Sequence, residues 1–143
     1  MVTNQECIFC KIIRGDFPAT KLYEDDKVLV MLDIRPASSR GGHTLVIPKP
    51  HYELVTDLPD DLMKHTSVIL KKVGRALLKF GQGFNILQNN KKVAGQYIPH
   101  VHFHLVPRFK DDGITIEKWT AREYPQGKIE KIAEQLRKLM DES

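Results

Sequence analysis

The sequence predicts one strand-rich domain that also contains helices. The chain has 143 residues, of which 41% are hydrophobic, and this is enough for one domain with a true core. Residues 59–79 carry apolar side chains at helical spacing, which predicts a long helix. Residues 97–109 are rich in β-branched, aromatic and apolar residues, which favours a strand. These observations together predict a mixed fold of strands and helices.

The elements that precede the long helix are short. Residues 6–14 predict a helix that ends near Gly15, and Asp25-Asp26 marks a turn between two strands. Residues 35–42 contain proline, serine and glycine and predict a loop, which either brings backbone N–H groups near a ligand or is a plain connector, as Ser38 and Ser39 favour. Short apolar runs bounded by turn residues predict strands over residues 20–24, 27–33 and 44–47 before the long helix, and another over 84–88 after it.

Two longer helices are predicted, one near the middle of the sequence and one over residues 126–140. Pro59 suits the first turn of a helix because it lacks an N–H, and Asp60 and Asp61 complement the positive helix start. The basic residues of this helix gather near its C-terminal end, which is typical of a solvated face that complements the dipole. Residues 126–140 return to helical spacing. This last helix either packs on its own domain or covers a partner subunit.

Three histidines alternate with apolar residues in the last predicted strand, which spans residues 98–108 and follows a polar loop over 89–96. Because successive side chains of a strand point to opposite faces, His100, His102 and His104 would share one face. Neighbours on that face lie about 6.5 to 7 Å apart, so three imidazoles would line one small anionic group such as a phosphate.

Two chemistries suit this row of imidazoles. A neutral imidazole with one bare nitrogen attacks phosphorus or an acyl carbon, and the central His102 is the best placed to do so. A flanking imidazole then protonates the leaving group or stabilises charge on the oxygens. The alternative is a metal site, since two histidines two apart on a strand can bind zinc. A metal-dependent hydrolase that uses all three imidazoles therefore stays open.

The only cysteines of the chain, Cys7 and Cys10, form a Cys-x-x-Cys motif. The residues alone leave three interpretations, which are a redox dithiol, half of a zinc site, and two buried thiols. A redox site of thioredoxin type would be followed by a βαβ pattern, and none is evident. Two cysteines do not make a disulfide framework, so we expect a reducing, cytoplasmic environment.

Composition argues against two classes of partner. The net charge is +4 and the pI is about 9.1, which gives phosphorylated substrates a mild attraction. The basic residues are scattered and lack the dense stripe with aromatics that nucleic-acid binding favours, so we expect no nucleic-acid partner. No long apolar run is present, which predicts no membrane span. Residues 1–5 are polar and lack the apolar stretch of a secretory signal.

The stretch from Pro99 to Arg108 matches in full the pattern His-φ-His-φ-His-φ-φ, where φ is apolar. It resembles the signature of the histidine triad (HIT) nucleotide hydrolases and transferases. The resemblance covers about residues 5–110 and is nearest to Hint-like members and to bacterial and archaeal members that contain zinc. Further matches follow in the expected order at residues 8–12, 32–34 with Pro36, 42–49 with His51, and Asn89 with Gly95-Gln96.

The resemblance implies roles for individual residues. His102 would attack the α-phosphorus of a purine nucleotide of AMP type and carry the nucleotidyl group as a phosphohistidine, and His104 would contact the phosphate or leaving group. Asp33 would hydrogen-bond the ribose hydroxyls, and Asn89 would contact the phosphate or leaving-group region. The residues expected to bind substrate are Phe9, Ile12, Asp33, Ile34, Asn89, Gly95, Gln96 and His104.

The resemblance also implies a structural zinc ion. In family members that carry the cysteine pair, zinc is held by both cysteines, the histidine after Pro-Lys, and the first triad histidine. Here those residues are Cys7, Cys10, His51 and His100. Two thiolates and two imidazoles form a closed tetrahedral set with no open position for water, which is typical of structural zinc. No organic cofactor is expected.

The family fold is α+β, with an antiparallel sheet of about five strands, one major helix, a short N-terminal helix and here a C-terminal helix. We therefore expect residues 1–143 to form a single HIT domain, with a core over about 5–110 and a C-terminal extension over 111–143. Family members usually pair as homodimers with two-fold symmetry.

The expected activity is cleavage of adenosine phosphoramidate or a related adenylate, because Asn89 occupies a place where Hint-like members tend to have asparagine. Against this, Val106-Pro107-Arg108 resembles Fhit-like members, so a dinucleoside polyphosphate hydrolase is the alternative. A non-catalytic nucleotide-binding or interaction protein is a further alternative.

Overall fold

The computed structural model describes residues 1–116 and 119–142, and in these residues it contains one five-stranded antiparallel sheet and three α-helices. The strands are β1 (Lys21–Glu24), β2 (Val28–Leu32), β3 (Thr44–Pro48), β4 (Gly83–Leu87) and β5 (Phe103–Arg108). The helices are α1 (Ile8–Arg14), α2 (Asp60–Phe80) and α3 (Lys128–Asp141). The α+β class, the five antiparallel strands and the placement of the three helices are confirmed.

The strand order β1-β2-β3-β5-β4 places β5 inside the sheet, between β3 and β4. In the register of these pairs, His104 of β5 lies opposite Leu45 of β3 and Leu87 of β4. The backbone of His104 is therefore fixed by two neighbouring strands. Strands β1 and β4 are the two edges of the sheet.

Both faces of the sheet are covered, which explains why its central strands are apolar at consecutive positions. On β2, Val28 and Val30 face the long helix α2, whereas Leu29 and Met31 face the short helix α1. The side of α2 contains one core cluster, formed with Ile69, Leu70, Leu77, Val101, Phe103 and Leu105 among others. The side of α1 contains the second cluster, which includes Cys7, Phe9, Cys10, Ile12, Leu45 and Ile47.

The last strand is shorter than the sequence predicted, because the sheet ladder begins at Phe103 and not at residue 98. Pro99 has no N–H to donate to a ladder. The N–H of His100 donates to the carbonyl of Ile98 at 2.8 Å, and the N–H of Val101 donates to the carbonyl of Tyr52 at 2.8 Å. The prediction that three histidines lie on one strand is therefore wrong, since only His104 belongs to β5.

Helix α1 ends as its sequence predicts, at a glycine in the left-handed conformation. Gly15 has φ 90°, and its N–H donates to the carbonyl of Ile12 at 3.0 Å. Helix α3 differs from α1 and α2 because none of its residues is buried, and Leu136 and Leu139 are each 53% exposed. Among the described residues, no helix is both long enough and apolar enough to cross a membrane.

Candidate active site and zinc site

The three triad histidines belong to two adjacent sites, and a side chain of α1 contacts both. His100 is fully buried beside the two cysteines, whereas His102 and His104 line a cavity on the same side of the sheet. The ring of Phe9 separates the two sites. Its centroid lies 5.8 Å from that of His100 and 5.0 Å from that of His102, edge to face in both cases.

The first site brings together the four residues that the family resemblance assigned to zinc. The Nδ1 atom of His100 lies 3.3 Å from Sγ of Cys7 and 3.7 Å from Sγ of Cys10. The Nδ1 atom of His51 lies 3.5 Å from Sγ of Cys10 and 3.1 Å from Nδ1 of His100. All four ligand atoms lie within 4.8 Å of one another.

Three of these separations, from 3.3 to 3.7 Å, fit a tetrahedral zinc ion, and the 3.1 Å between the two Nδ1 atoms is slightly shorter. Zinc–sulfur bonds of about 2.3 Å and zinc–nitrogen bonds of about 2.0 Å, at the tetrahedral angle, place ligand atoms about 3.3 to 3.8 Å apart. The Nε2–H of His100 donates to the carbonyl of Pro48 at 2.7 Å, which leaves its Nδ1 as the free ligand atom. Burial raises the pKa of the Cys10 thiol and lowers that of His100 to about 4. A cation favours the thiolate, so the site suits a metal.

In His100 the backbone holds Nε2, whereas in His102 it holds the other ring nitrogen, Nδ1. The Nδ1–H of His102 donates to the carbonyl of His100 at 2.7 Å, which leaves Nε2 without a proton. Burial lowers the pKa of His102, more than the hydrogen bond to His100 and the charge of Asp33 raise it. The ring is therefore neutral at pH 7 and carries a bare Nε2, which is the state that a nucleophile requires.

The bare nitrogen belongs to a residue that lines a cavity with a volume of about 490 Å³. Its walls are mostly apolar and come from α1, the segment after α1, β2 and β3. Six residues expected to act in catalysis or substrate binding line it, namely Phe9, Ile12, Asp33, Ile34, His102 and His104. Further lining residues without a predicted role include Phe17, Met31, Arg35, Leu45 and Ile98.

The third triad residue is paired with a histidine to which the sequence analysis gave no role. The Nδ1 atom of His104 lies 2.9 Å from Nε2 of His43, and Nε2 of His43 lies 3.7 Å from a carboxylate oxygen of Asp33. Burial and, to a smaller extent, the nearby rings of His102 and His43 lower the pKa of His104 to about 4. Burial also lowers the pKa of His43. Both rings are therefore neutral at pH 7.

His43 was missed because its partner is distant in the sequence. It directly precedes β3, and the pairing of β3 with β5 brings it beside His104. The one available signal was its place in the motif over residues 42–49, which carries no indication of a contact.

The atoms of Asp33, His43 and His104 are close enough to bind a metal, but the hydrogen bonds of His43 oppose it. The N–H of Ala37 donates to Nδ1 of His43 at 3.0 Å, so the proton of this neutral ring lies on Nε2. A metal on Nε2 would move that proton to Nδ1, directly against the Ala37 N–H. Among the described residues, no cluster of possible metal ligands includes all three triad histidines.

Three residues expected to bind substrate lie outside the cavity lining, in the connection between β4 and β5. The Nδ2 group of Asn89 donates to the carbonyl of Gly95 at 3.3 Å. The side chain of Gln96 is buried, where it accepts from the N–H of Lys91 at 2.8 Å and donates to the carbonyl of Glu53 at 2.7 Å. In this arrangement the three residues order the connection that leads to the histidines.

Comparison with known proteins places these features in a family context. Residues 14–111 match the HIT domain family. An adenosine 5′-monophosphoramidase from Candida albicans is 38% identical over 144 aligned positions, which cover 96% of this chain and 93% of that protein.

Two crystal structures of other proteins have a similar fold. A HIT family protein from Bacillus subtilis has a TM-score of 0.86 and 40% identity, covering 94% of this chain and 96% of the other. A zinc-bound histidine triad family protein from Mycobacterium smegmatis has a TM-score of 0.71 and 39% identity, covering 82% of this chain and 86% of the other.

Proposed function

The chain belongs to the HIT domain family, and on that premise we propose that it hydrolyses adenosine nucleotide conjugates at the α-phosphorus. Adenosine phosphoramidate and related adenylates are the proposed substrates. The observation that carries this proposal is the neutral ring of His102, whose Nδ1 is held by the carbonyl of His100 and whose bare Nε2 belongs to a cavity-lining residue. The similarity to the Candida albicans adenosine 5′-monophosphoramidase supports the same substrate class.

The proposed reaction has two displacement steps at phosphorus. In the first, the lone pair of His102 Nε2 forms a bond to the α-phosphorus, and the bond from phosphorus to the leaving nitrogen or oxygen breaks. His104 provides a proton to the leaving group. In the second, water attacks phosphorus and gives a proton back to His104, the phosphorus–nitrogen bond to His102 breaks, and AMP is released.

The cavity supports binding of a nucleoside beside this nitrogen. Its apolar walls suit a purine base, with Phe9, Ile12 and Ile34 among the lining residues. Asp33 lines the same cavity and offers a carboxylate oxygen for the ribose hydroxyls. These walls bring no charged group other than Asp33 and Arg35 to the base and ribose.

We assign a structural role to zinc held by Cys7, Cys10, His51 and His100. When bound, the ion would join the start of α1 to the sheet and leave no open coordination position. The support is the fit of the four ligand atoms and the similarity to the zinc-bound Mycobacterium smegmatis protein. The chemical steps would remain with His102 and His104.

The two alternatives make different demands on the site. A Fhit-like activity was suggested by Val106-Pro107-Arg108, but Arg108 is engaged elsewhere, with Asp112 at 2.8 Å and Asn85 at 2.9 Å. A protein that only binds nucleotides does not require a neutral imidazole with a bare nitrogen. Both features favour the phosphoramidate hydrolase.

We expect the enzyme to act as a cytoplasmic homodimer. Within the described residues, edge strand β4 pairs with no strand on its outer side, and α3 exposes Leu136 and Leu139. Sedimentation of the purified chain tests this expectation, because a species of twice the monomer mass is required.

The deciding experiment is to trap the covalent intermediate. The protein is mixed rapidly with adenosine phosphoramidate and quenched in alkali, which preserves phosphohistidine, and the digest is analysed by mass spectrometry. We expect AMP attached to the peptide that contains His102, together with multiple-turnover release of AMP. Tight AMP binding without turnover would establish the non-catalytic alternative, and diadenosine polyphosphate as the better substrate would establish the Fhit-like one.

A further inference from the structure

A backbone hydrogen bond connects the loop over residues 35–42 to the histidines beside the cavity. The backbone N–H of Ala37 donates to Nδ1 of His43 at 3.0 Å, and Nε2 of His43 lies 2.9 Å from Nδ1 of His104. These two contacts connect a loop on the surface to a histidine that lines the cavity.

Only one placement of the ring protons of His43 and His104 is compatible with these two hydrogen bonds. A backbone N–H is always a donor, so Nδ1 of His43 must accept, and the single proton of its neutral ring lies on Nε2. That Nε2–H donates to Nδ1 of His104, which must therefore be bare. The proton of the neutral His104 ring consequently lies on its own Nε2. The reverse arrangement would place two N–H groups against each other at 3.0 Å.

We propose that the 35–42 loop and His43 are positioning elements, which fix His104 as the Nε2–H tautomer so that this proton is offered to the leaving group. This inference rests on the proposed function, since it assigns the origin of the proton that the first step needs. His43 acts through His104 and does not contact the reacting atoms. Without the Ala37 N–H, the pair of histidines would exchange between two tautomeric arrangements, of which one turns a bare nitrogen towards the leaving group.

The loop is built to hold Ala37 in place. The guanidinium of Arg40 lies over the ring of Phe109, 4.5 Å from its centroid. Ser38 is buried, and its hydroxyl accepts from the N–H of Arg40 at 3.1 Å. Gly42 has φ 84°, and a Cβ there would lie 2.6 Å from the ring of Phe80. The loop is thus held at several points on the C-terminal side of the donating amide.

The first test measures the tautomers directly. Two-bond ¹H–¹⁵N correlation spectra of histidine-labelled protein distinguish a ring protonated at Nδ1 from one protonated at Nε2. We expect His43 and His104 of the zinc-loaded protein to be Nε2–H tautomers. In His43→Phe, His104 should become a mixture of both tautomers. In His43→Gln, whose amide N–H₂ reaches the position of Nε2, His104 should retain the wild-type tautomer.

A second variant removes the donor without touching a histidine. Ala37→Pro deletes the N–H, whereas Ala37→Gly keeps it and serves as the matched control. We expect Ala37→Pro to give mixed tautomers at His43 and His104, and Ala37→Gly to give the wild-type spectrum. An unchanged His104 tautomer in a folded His43→Phe or Ala37→Pro protein overturns the proposal, as does an Nδ1–H ring in the wild type.

The kinetic readout separates positioning from binding. In His43→Phe, turnover of an adenylate with a poor amine leaving group should fall by roughly tenfold or more, whereas one with a good phenolate leaving group should change little. The KM for both should stay close to wild type, and His43→Gln should recover most of the lost rate. An equal loss for both leaving groups would contradict the proposal. If the wild type has no turnover, the proposed function fails, but the tautomer assignment is still decided by the spectra.

Discussion

The zinc cluster and the catalytic cavity contain the same type of side chain from one short run, and they differ in which ring nitrogen the backbone holds. In His100 the carbonyl of Pro48 holds Nε2–H, so Nδ1 is left for a metal. In His102 the carbonyl of His100 holds Nδ1–H, so Nε2 is left for phosphorus. Two hydrogen bonds of 2.7 Å thus separate a ligand from a nucleophile.

This comparison shows that hydrogen bonds to the backbone determine which ring nitrogen of each histidine is free. The free nitrogen then determines whether the histidine acts as a metal ligand or as a nucleophile. The carbonyl that orients His102 belongs to His100, so the two sites are joined through one peptide unit. Loss of order at the zinc cluster would reach the nucleophile through that carbonyl. The reverse effect should be weak, because the nucleophile contributes no ligand atom to the cluster.

The largest effects are expected from a pair of variants, His102→Asn and His100→Asn, which alter the two sites separately. In His102→Asn, the amide N–H₂ mimics Nδ1–H and keeps the bond to the His100 carbonyl, but no nucleophile remains. We expect turnover of adenosine phosphoramidate to fall by more than about a thousandfold, with zinc content and thermal midpoint near wild type. Steady-state kinetics with elemental analysis measure all three quantities.

His100→Asn is the matched control, and it should show the opposite pattern. Zinc should be lost and the thermal midpoint should fall, while folded molecules retain a measurable rate. If His102→Asn hydrolyses the substrate normally, the nucleophile has been assigned to the wrong residue.

Removal of the metal from the wild type should be the next largest effect. The zinc ion would join α1 to the sheet. Its loss should therefore expose Cys10 and the apolar residues around it. We expect a chelator, or the substitution Cys10→Ser, to lower the thermal midpoint by about 10 °C or more. Differential scanning calorimetry before and after restoring zinc checks this. A well-folded protein that never contains metal would remove the zinc site and leave the cavity unaffected.

The sequence predicted the members of both sites better than their geometry. Alternation placed Val101, Phe103 and Leu105 in the core on one side of the sheet and the histidines on the other, and it did so correctly although the ladder begins at Phe103. The tautomers of His100 and His104 could not be predicted, because they depend on the carbonyl of Pro48 and, through His43, on the N–H of Ala37, which are distant from them in sequence. His43 was missed for the same reason, since only the pairing of β3 with β5 brings it to His104.

A smaller effect is expected from Asp33→Asn, which sharpens the definition of the cavity. The carboxylate is proposed to accept hydrogen bonds from the ribose hydroxyls, and such charged hydrogen bonds are worth about 1.5 to 3 kcal/mol. We expect kcat/KM for adenosine phosphoramidate to fall by roughly ten- to a hundredfold. The 2′,3′-dideoxy analogue is the control, because it lacks the hydroxyls and should react equally with both proteins. An equal loss for both substrates would assign Asp33 to the support of His43, 3.7 Å away.

The smallest effect is the dependence of stability on pH that His104 contributes. Burial lowers the pKa of His104 to about 4 in the folded protein, whereas an unfolded histidine titrates near about 6.5. Between these values the unfolded chain binds a proton that the folded protein does not, so the free energy of unfolding falls as the pH falls from about 6.5 to about 4. Above pH 6.5 the contribution is constant.

His104→Gln isolates this contribution, because zinc ligands that titrate in the same range are present in both proteins. The difference in unfolding free energy between wild type and variant, from urea denaturation at pH 7 and pH 5, should therefore shift against the wild type at the lower pH. The shift should be at most about 2 kcal/mol, since one residue exchanges at most one proton over this interval. Parallel pH profiles would mean that His104 takes up its proton at the same pH in the folded protein as in the unfolded chain. Below that pH the ring would have an N–H on both nitrogens and could not accept a hydrogen bond from His43, so the proposed tautomer would be absent there.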